Sequence, residues 1–402
     1  MKDSRRLLFL ITLFVFVDVL GFSLILPLLP YYASTFGATP QIVGLLLGTN
    51  ALAQLIGAPI LGRLSDRFGR RPLLLLSLAG TVVGFLLLAT ARSLEMMFLS
   101  RVVDGLLGGD ISLAQAYISD ITDGKERTRG FGLLGAAFGL GFIFGPALGG
   151  TLAADGVYAR PTFVAAGLSL LNLIGVLFWL PESLPEEERA RRAREPRAAF
   201  SLRVLWDTLR LPCVGPLLQT QLFFSLAFTT FETIFALFAQ ARLKLDARAT
   251  SYVLTYVGVL VVLVQGVGIR LLVRRFSDKQ LVFGGSALLA LSLLGWALVP
   301  SLPWLLVVLA PLALAAGTLR VAVNSALTRS VWPEELGGTL GLSASLGSLS
   351  RIVSPTVGGF LLGQVGTAAP GLLGAALMGW LVYYTWRRVL FVPDLACPPP
   401  RA

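Results

Sequence analysis

Long apolar runs, separated by short breaks of polar residues, Gly and Pro, follow one another along almost the whole 402-residue chain. A helix needs about 20 apolar residues to cross a hydrocarbon core about 30 Å thick, and most of these runs reach that length. The runs predict twelve transmembrane helices near residues 7–30, 41–62, 73–91, 94–119, 130–153, 161–180, 213–240, 250–272, 280–300, 303–327, 338–361 and 370–390. We therefore expect an all-α membrane protein.

One long polar stretch interrupts this pattern between the sixth and seventh predicted helices. It contains the run EEERARRAREPR, which is typical of a solvated segment or of one that faces lipid headgroups. The stretch predicts an N-terminal six-helix bundle at 1–181, a cytoplasmic linker at 182–212, a C-terminal six-helix bundle at 213–392 and a cytoplasmic tail at 393–402.

The two predicted bundles resemble copies of each other. The run LGFIFGPALGG at 140–150 is echoed by LSRIVSPTVGG at 349–359, and RLSDRFGRRP has a weaker counterpart in LLVRRFSDKQ. Internal repeats in membrane transporters place the substrate near the bilayer midplane between the repeats, with access alternating as the halves rock. The repeat therefore predicts an alternating-access transporter.

The composition supports a membrane location, since 55% of the residues are hydrophobic and only 14% are charged. A net charge of +11 could indicate nucleic acid, but 25 of the 33 Lys and Arg residues fall in segments on the side of the two termini. Basic loops stay cytoplasmic. We therefore expect a multi-pass protein of the inner or plasma membrane with both termini cytoplasmic, and no nucleic-acid partner.

The chain has no His, the commonest metal ligand and the usual proton carrier near neutral pH. We therefore expect no metal, and we also expect no cofactor and no catalytic residues. Without His, any proton carrier must be a carboxyl group. A proton gradient would then drive transport. The missing His also disfavours a membrane enzyme. An ATP-driven pump is disfavoured because the chain lacks the phosphate-binding pattern GxxxxGK[ST].

Several motifs resemble the major facilitator superfamily. GRLSDRFGRRP at 62–72 resembles its signature between helices 2 and 3, and RVVDGLLGGD and GFIFGPALGG resemble the drug/proton antiporter branch. DVLGFSLILPLLP and AYISDITDGKERTRGFG resemble tetracycline-resistance efflux transporters and animal tetracycline-transporter-like proteins. The resemblance implies a major facilitator fold of two pseudo-symmetric six-helix bundles, an efflux function and a monomer.

The resemblance to tetracycline pumps stops at two positions. Those pumps carry membrane aspartates in helices 3 and 9, where this chain has TVVGFLLLAT and SALLALSLLGW without an acid. We therefore do not expect tetracycline to be the main substrate.

Ionisable residues inside the predicted helices are the candidate functional residues. Each costs about 2.5 to 3.5 kcal/mol to insert, so each should face a cavity or a partner. The seven are Asp18, Arg101, Asp104, Asp110, Glu232, Arg320 and Arg351. In the fold that the resemblance implies, helices 1, 4, 7 and 10 line the central cavity, and six of the seven lie on them.

Asp18 lies about 16 Å into helix 1 at 1.5 Å per residue, and Glu232 lies at a comparable depth in helix 7. We predict that these two acids bind the proton or a cationic substrate; the alternative is a structural acid paired with a membrane Arg. The polar side chains of Asn50, Gln54 and Gln115 are predicted to line the same cavity, together with Arg351.

Two further pairs concern helices 4 and 10. Arg101 and Asp104 share a helix face and are predicted to pair, either as a structural ion pair or to assist proton transfer, a role that the resemblance implies for Arg101. Asp110 and Arg320 occupy equivalent repeat positions toward the predicted cytoplasmic ends of their helices. Their opposite charges suggest a gate bridge between the halves.

The resemblance also implies a cytoplasmic latch, in which Arg70 joins Asp66 and Asp120 at the ends of helices 2 and 4. In helix 5, the small residues Gly141, Gly145 and Gly149 and the helix-bending Pro146 predict close packing against helix 8 of the other half. Ordinary helix packing is the alternative for this motif.

Together these features predict proton-coupled export of a lipophilic or amphiphilic small molecule, such as a drug, across the bilayer. The alternatives are proton-coupled uptake, or translocation of a lipid or organic anion, on the same fold. A third hypothesis is a membrane receptor that transports nothing, but such a receptor would not need acids in helices 1, 4 and 7.

Overall fold

The structure of the chain, a computed structural model, describes residues 2–194, 214–331 and 336–390. The predicted tail, 393–402, and most of the predicted linker, 182–212, lie outside these ranges. Every regular element in the described residues is a helix.

The residues before 195 form nine helices. They are α1 (Lys2–Ile25), α2 (Leu29–Thr35), α3 (Pro40–Phe68), α4 (Arg70–Ala89), α5 (Leu94–Leu107), α6 (Asp110–Ile121), α7 (Gly124–Leu152), α8 (Ala159–Trp179) and α9 (Glu186–Arg194). The predicted first helix ends early, at Ile25, and α2 follows as a separate short helix that begins with a Pro in its first turn. The predicted fourth helix is divided into α5 and α6.

The described residues from 214 onward form the remaining helices. They are α10 (Gly215–Leu243), α11 (Ala247–Leu263), α12 (Ile269–Arg275), α13 (Asp278–Leu298), α14 (Leu302–Arg329), α15 (Leu336–Gln364) and α16 (Ala369–Thr385). A π-helical turn, Val264–Gly268, joins α11 to α12, so the two form the predicted eighth crossing, and a second π turn, Trp386–Leu390, follows α16.

Nine helices in the described residues are long and apolar enough to cross a membrane. The predicted fourth, eleventh and twelfth crossings fall outside this set. The fourth is split into segments of 14 and 12 residues, and α16 has 17, each below the length of about 20 residues that one crossing needs. α15 is long enough, but many Gly and Ser residues dilute its apolar character.

The helices cluster into two compact units. The first comprises Met1–Arg197 with Leu245–Gly258, and the second comprises Ala198–Lys244 with Val259–Ala402. The first has a core of buried residues from α1, α3, α4, α6, α7 and α8, among them Ile11, Phe14, Leu78 and Tyr117. In the second, Trp296 is fully buried between Phe231 and Phe238, with ring centroids 5.0 and 4.8 Å away.

Candidate functional site

The fourth predicted crossing is interrupted at Gly108 and Gly109, inside the first unit. Backbone groups freed within a bilayer need other partners, and Ser77 of α4 supplies two of them. Its hydroxyl donates to Leu107 O and accepts the N–H of Gly109 at 3.0 Å. Gln54 donates its side-chain N–H to Gly108 O at 3.1 Å. This break was not predicted from the sequence, although a polar Ser in the apolar helix α4 was a signal for it.

The break determines the position of Asp110. This residue is the first of α6 and lies beside Asp18 of α1, with the two carboxyl groups lining one small cavity, close enough to share a hydrogen bond. The expectation of one continuous helix at 94–119 is wrong, because the chain starts a new helix at Asp110, beside Asp18. The predicted bridge from Asp110 to Arg320 concerns both units and stays a prediction.

Arg101 and Asp104 form an ion pair on α5, as their spacing predicts. The Arg101 Nη1 to Asp104 Oδ2 distance is 3.3 Å, and the two residues are only 3% and 8% exposed. Asn50 of α3 donates to the same Asp104 oxygen at 3.0 Å, and Arg101 also donates to Ser100. Its guanidinium lies 5.7 Å from the ring centre of Phe85. The carboxylate of Asp104 is therefore well supplied with donors.

Arg70 joins two acids at the ends of helices α3 and α6. Its Nη2 lies 2.7 Å from Asp66 Oδ1 and its Nε lies 2.9 Å from Asp120 Oδ2, with all three side chains buried. Ser65 accepts a further bond from the same guanidinium. The contacts that the latch motif implies are therefore present within the first unit.

Glu182, which the sequence analysis did not single out, belongs to the same cluster. Its carboxylate accepts the backbone N–H groups of Arg70 at 2.8 Å and Arg71 at 3.1 Å, the first residues of α4. Gly69 precedes them with a φ of 105°, and a Cβ there would overlap the Glu182 carboxylate. An acid directly after a membrane helix, in the run PESLP, was the available signal.

The glycines of the helix 5 motif pack against α1. A Cβ on Gly141 would overlap Val19, one on Gly145 would overlap Ser23, and one on Gly149 would overlap Leu24 O. Ser23 also donates to Gly141 O at 2.8 Å. The expectation that these three glycines face helix 8 is therefore wrong, because the four-residue spacing places them on one face of α7 and that face packs on α1. Pro146 is buried within α7, which continues through it to Leu152.

A neighbouring glycine does meet the predicted eighth crossing. Gly150 lies against Ser251 and Arg248 O, in the segment Leu245–Gly258 that belongs to the first unit. Tyr31, in α2, contacts the same segment, with its hydroxyl 2.6 Å from Thr250 Oγ1 and 3.0 Å from Leu245 O. Burial raises the pKa of Tyr31, so this hydroxyl stays protonated.

The second unit holds the other predicted ionisable residues. Glu232 lies near the middle of α10, within electrostatic range of Arg320 of α14 and Arg351 of α15. The Arg320 guanidinium lies 5.9 Å from the ring centre of Phe228, and both arginines are exposed. Since a charge facing lipid is expensive, an exposed Arg in mid-membrane indicates a water-filled space. Gln115, in the first unit, is also exposed.

Comparisons with known proteins agree with this architecture. The model of the Major Facilitator Superfamily matches residues 11–355. The chain is 33% identical to the class C tetracycline resistance protein of Escherichia coli, over 89% of each chain. It is 30% identical to mouse solute carrier family 22 member 18, over 90% of this chain and 91% of the relative.

The same fold is found among solved structures. That of the human organic anion transporter MFSD10 (TETRAN) has a TM-score of 0.70 and 24% identity, and the match covers 95% of this chain and 99% of that one. The predicted fold class is thereby confirmed, as is the prediction that the protein is not an enzyme. The chain is a multi-pass membrane transporter that belongs to the Major Facilitator Superfamily.

Proposed function

We propose that this transporter exports a lipophilic or amphiphilic small molecule, such as a drug, in exchange for protons. The observation that carries the proposal is the set of carboxyl groups held inside membrane helices, Asp18 and Asp104 in the first unit and Glu232 in the second. An acid in hydrocarbon is costly and is kept there for a use, most often an ion or substrate pathway. The identity to a tetracycline resistance protein along most of the chain favours export as the direction.

Asp18 and Glu232 carry the exchange in this proposal. Each can bind a proton from one side of the membrane and release it when substrate or water reaches the site from the other side. Arg101 supports proton transfer through its ion pair with the neighbouring acid Asp104. The proton gradient supplies the energy, and the protein works as a monomer in the inner or plasma membrane with both termini in the cytoplasm.

The test is proton movement that depends on substrate. Purified protein in liposomes with an internal pH dye would receive one probe at a time: tetracycline, tetraphenylphosphonium as a lipophilic cation, or anilinonaphthalene sulfonate as a lipophilic anion. At least one probe should move protons in the direction opposite to its own. Asp18→Asn and Glu232→Gln should each abolish that coupling, while Asp155→Asn, at an exposed ion pair with Arg160, should not. Unchanged coupling in both acid variants would remove the proposal.

Organic-anion translocation is a second candidate, favoured by one feature of the second unit. Two exposed arginines, Arg320 and Arg351, lie in electrostatic range of the acid Glu232, so this cluster of described residues has a surplus of positive charge within membrane helices. If the protein translocates organic anions, only the anionic probe should be transported. The direction of proton movement relative to the probe would then distinguish uptake from export.

A further inference from the structure

A small cavity lies inside the first unit, between α1, α4, α6 and α8. Its volume is about 20 Å³, which is room for one water molecule. Phe14, Leu74, Leu78 and Val176 are among the hydrophobic residues that line it. The polar side chains that line it are those of Asp18, Asp110 and Asn172.

The carboxyl groups of Asp18 and Asp110 both line this cavity and lie close enough to share a hydrogen bond. A hydrogen bond between two carboxyl groups requires a proton on one of them, and two adjacent carboxylates cannot both be ionised at low cost in an apolar site. Asp110 is also the first residue of α6, where the positive end of the helix dipole favours the remaining negative charge. The pair is therefore suited to carry one proton and one negative charge.

Asn172 of α8 adds an independent observation. It is 3% exposed, and its Nδ2 donates to Phe14 O at 3.0 Å, which fixes the side chain. Its Oδ1 is buried and has no hydrogen-bond partner in the described structure. A buried acceptor without a donor costs about 1 to 3 kcal/mol. A water molecule in the cavity can donate to this oxygen and still hydrogen-bond to the carboxyl pair.

The charged groups that act on Asp18 are few. They are Asp110 from α6 and, more remotely, Asp104 from α5, whose charge is balanced by its ion pair with Arg101. The residues that α4 and α8 place at the cavity are uncharged. Because none of the described residues that line the cavity is a Lys or Arg, a proton is the positive charge that can stabilise the carboxyl pair.

We propose that Asp18, Asp110 and Asn172 form a site for a single proton, which the two carboxyl groups share, with a water molecule bound between them and Asn172 Oδ1. The proposal rests on the proposed exchange of substrate for protons, to which it adds the site that holds the proton. In this site Asp18 and Asp110 carry the proton together, in place of Asp18 alone, which gives Asp110 a role inside the first unit.

Infrared spectroscopy of the protein reconstituted in lipid tests the shared proton directly. A protonated carboxyl group has a C=O stretching band apart from those of carboxylates. In difference spectra between wild type and variant at neutral pH, which cancel the other acids such as Glu232, the pair should contribute the band of one protonated group. Asp18→Asn and Asp110→Asn should each remove it, because the new amide can donate to the remaining carboxylate. The double variant should lose no more than either single variant. Asp123→Asn, at an exposed loop acid, is the control and should keep the band.

Other outcomes overturn the shared site. Persistence of the band in Asp110→Asn would assign the proton to Asp18 alone, and twice the loss in the double variant would indicate two independent protons. If Asp110→Asn is not monodisperse after purification, Asp110→Glu decides, since a longer partner acid should shift the band of a shared proton, whereas an unshifted band would assign the proton to Asp18 alone.

The water molecule has its own measurement. Its O–H stretching band, identified by the shift in H₂¹⁸O, should disappear in Asn172→Leu and persist in Ser169→Ala, which changes a buried hydroxyl in the same helix. A band that survives Asn172→Leu would overturn the water part of the site. These measurements need no transported substrate, so the site can fail while substrate-driven proton movement persists, and the reverse also holds.

Discussion

The Nε atom of Arg70 lies 2.9 Å from Oδ2 of Asp120, although the two residues are 50 positions apart in the chain. This contact ties the start of α4 to the end of α6. Because Asp66 meets the same guanidinium at 2.7 Å, one cation serves two buried acids. Glu182 holds the backbone beside it by accepting the N–H group of Arg70.

Replacing Arg70 with Gln should destabilise the first unit. Removing one partner of a buried ion pair costs about 3 to 5 kcal/mol, because the charge that remains has lost its counterion. The thermal unfolding temperature in detergent should therefore fall clearly. Arg67→Gln is the matched control, because Arg67 lies three residues earlier, in the last turn of α3, and is exposed. Equal losses in the two variants would contradict a special role for Arg70.

Ser77 should stabilise the broken helix. Ser77→Ala removes the hydroxyl that donates to Leu107 O and accepts the N–H of Gly109, and the loss of a hydrogen bond costs about 0.5 to 1.5 kcal/mol. The cost stays modest because the N–H of Gly109 also donates to Leu107 O at 2.9 Å, so both backbone groups keep a partner. Unfolding temperatures should show this loss. Ser169→Ala should be close to neutral, because the buried Ser169 hydroxyl has no hydrogen-bond partner to lose. If Ser77→Ala left the unfolding temperature unchanged, water molecules would already hydrogen-bond to the backbone groups at the break.

The sequence predicted the helices far better than it predicted their interruptions. Hydrophobic run length identified the crossings, and the three-residue spacing of Arg101 and Asp104 was enough for their ion pair. The break before Asp110 was missed because two glycines within an apolar run are compatible with a continuous helix. The break is stable because Ser77 and Gln54 hydrogen-bond to the freed backbone groups, and both residues lie on other helices.

The same limit applies to the direction of a helix face. Glycines four residues apart in α7 showed that some helix packs closely there, but the spacing does not say which one, and the neighbour is α1. Asn172 was overlooked for a similar reason. Its significance lies in an acceptor without a donor beside two carboxyl groups, which is visible only in three dimensions.

Gly145→Ala should disturb the packing of α7 on α1. An added Cβ would overlap Ser23 and the backbone N of Leu24, and overpacking of this kind costs about 1 to 3 kcal/mol. Gly135→Ala, on the same helix, has open space around the new methyl group and should keep or raise stability, since Ala favours helix formation. Thermal unfolding of the two variants side by side measures the difference. If neither variant lowered the unfolding temperature, α1 and α7 would have to separate easily to make room for the methyl group added at Gly145.

Glu182→Gln should weaken the start of α4. The carboxylate accepts two N–H groups at the positive end of that helix, an arrangement worth about 0.3 to 2 kcal/mol, and the neutral amide keeps the shape but loses the charge. Hydrogen exchange at the amides of Arg70 and Arg71 should therefore become faster. Glu187→Gln, at an exposed acid of α9, should leave both rates unchanged. Unaltered exchange in Glu182→Gln would show that the charge contributes little.

The charge surplus of the second unit leads to a prediction about ligand preference. Glu232 lies in the field of Arg320 and Arg351, so Glu232→Gln removes the one acid that balances them. Binding of anilinonaphthalene sulfonate should tighten by about tenfold, which corresponds to 1.4 kcal/mol, and binding of the cation rhodamine 6G should weaken. Fluorescence titration of the purified protein measures both. Asp155→Asn makes the same change of charge at an exposed loop and should alter neither affinity, which separates a local field from net charge. If the anion affinity stayed constant in Glu232→Gln, the two arginines would not contact the ligand, and the acids of the first unit would have to account for substrate choice.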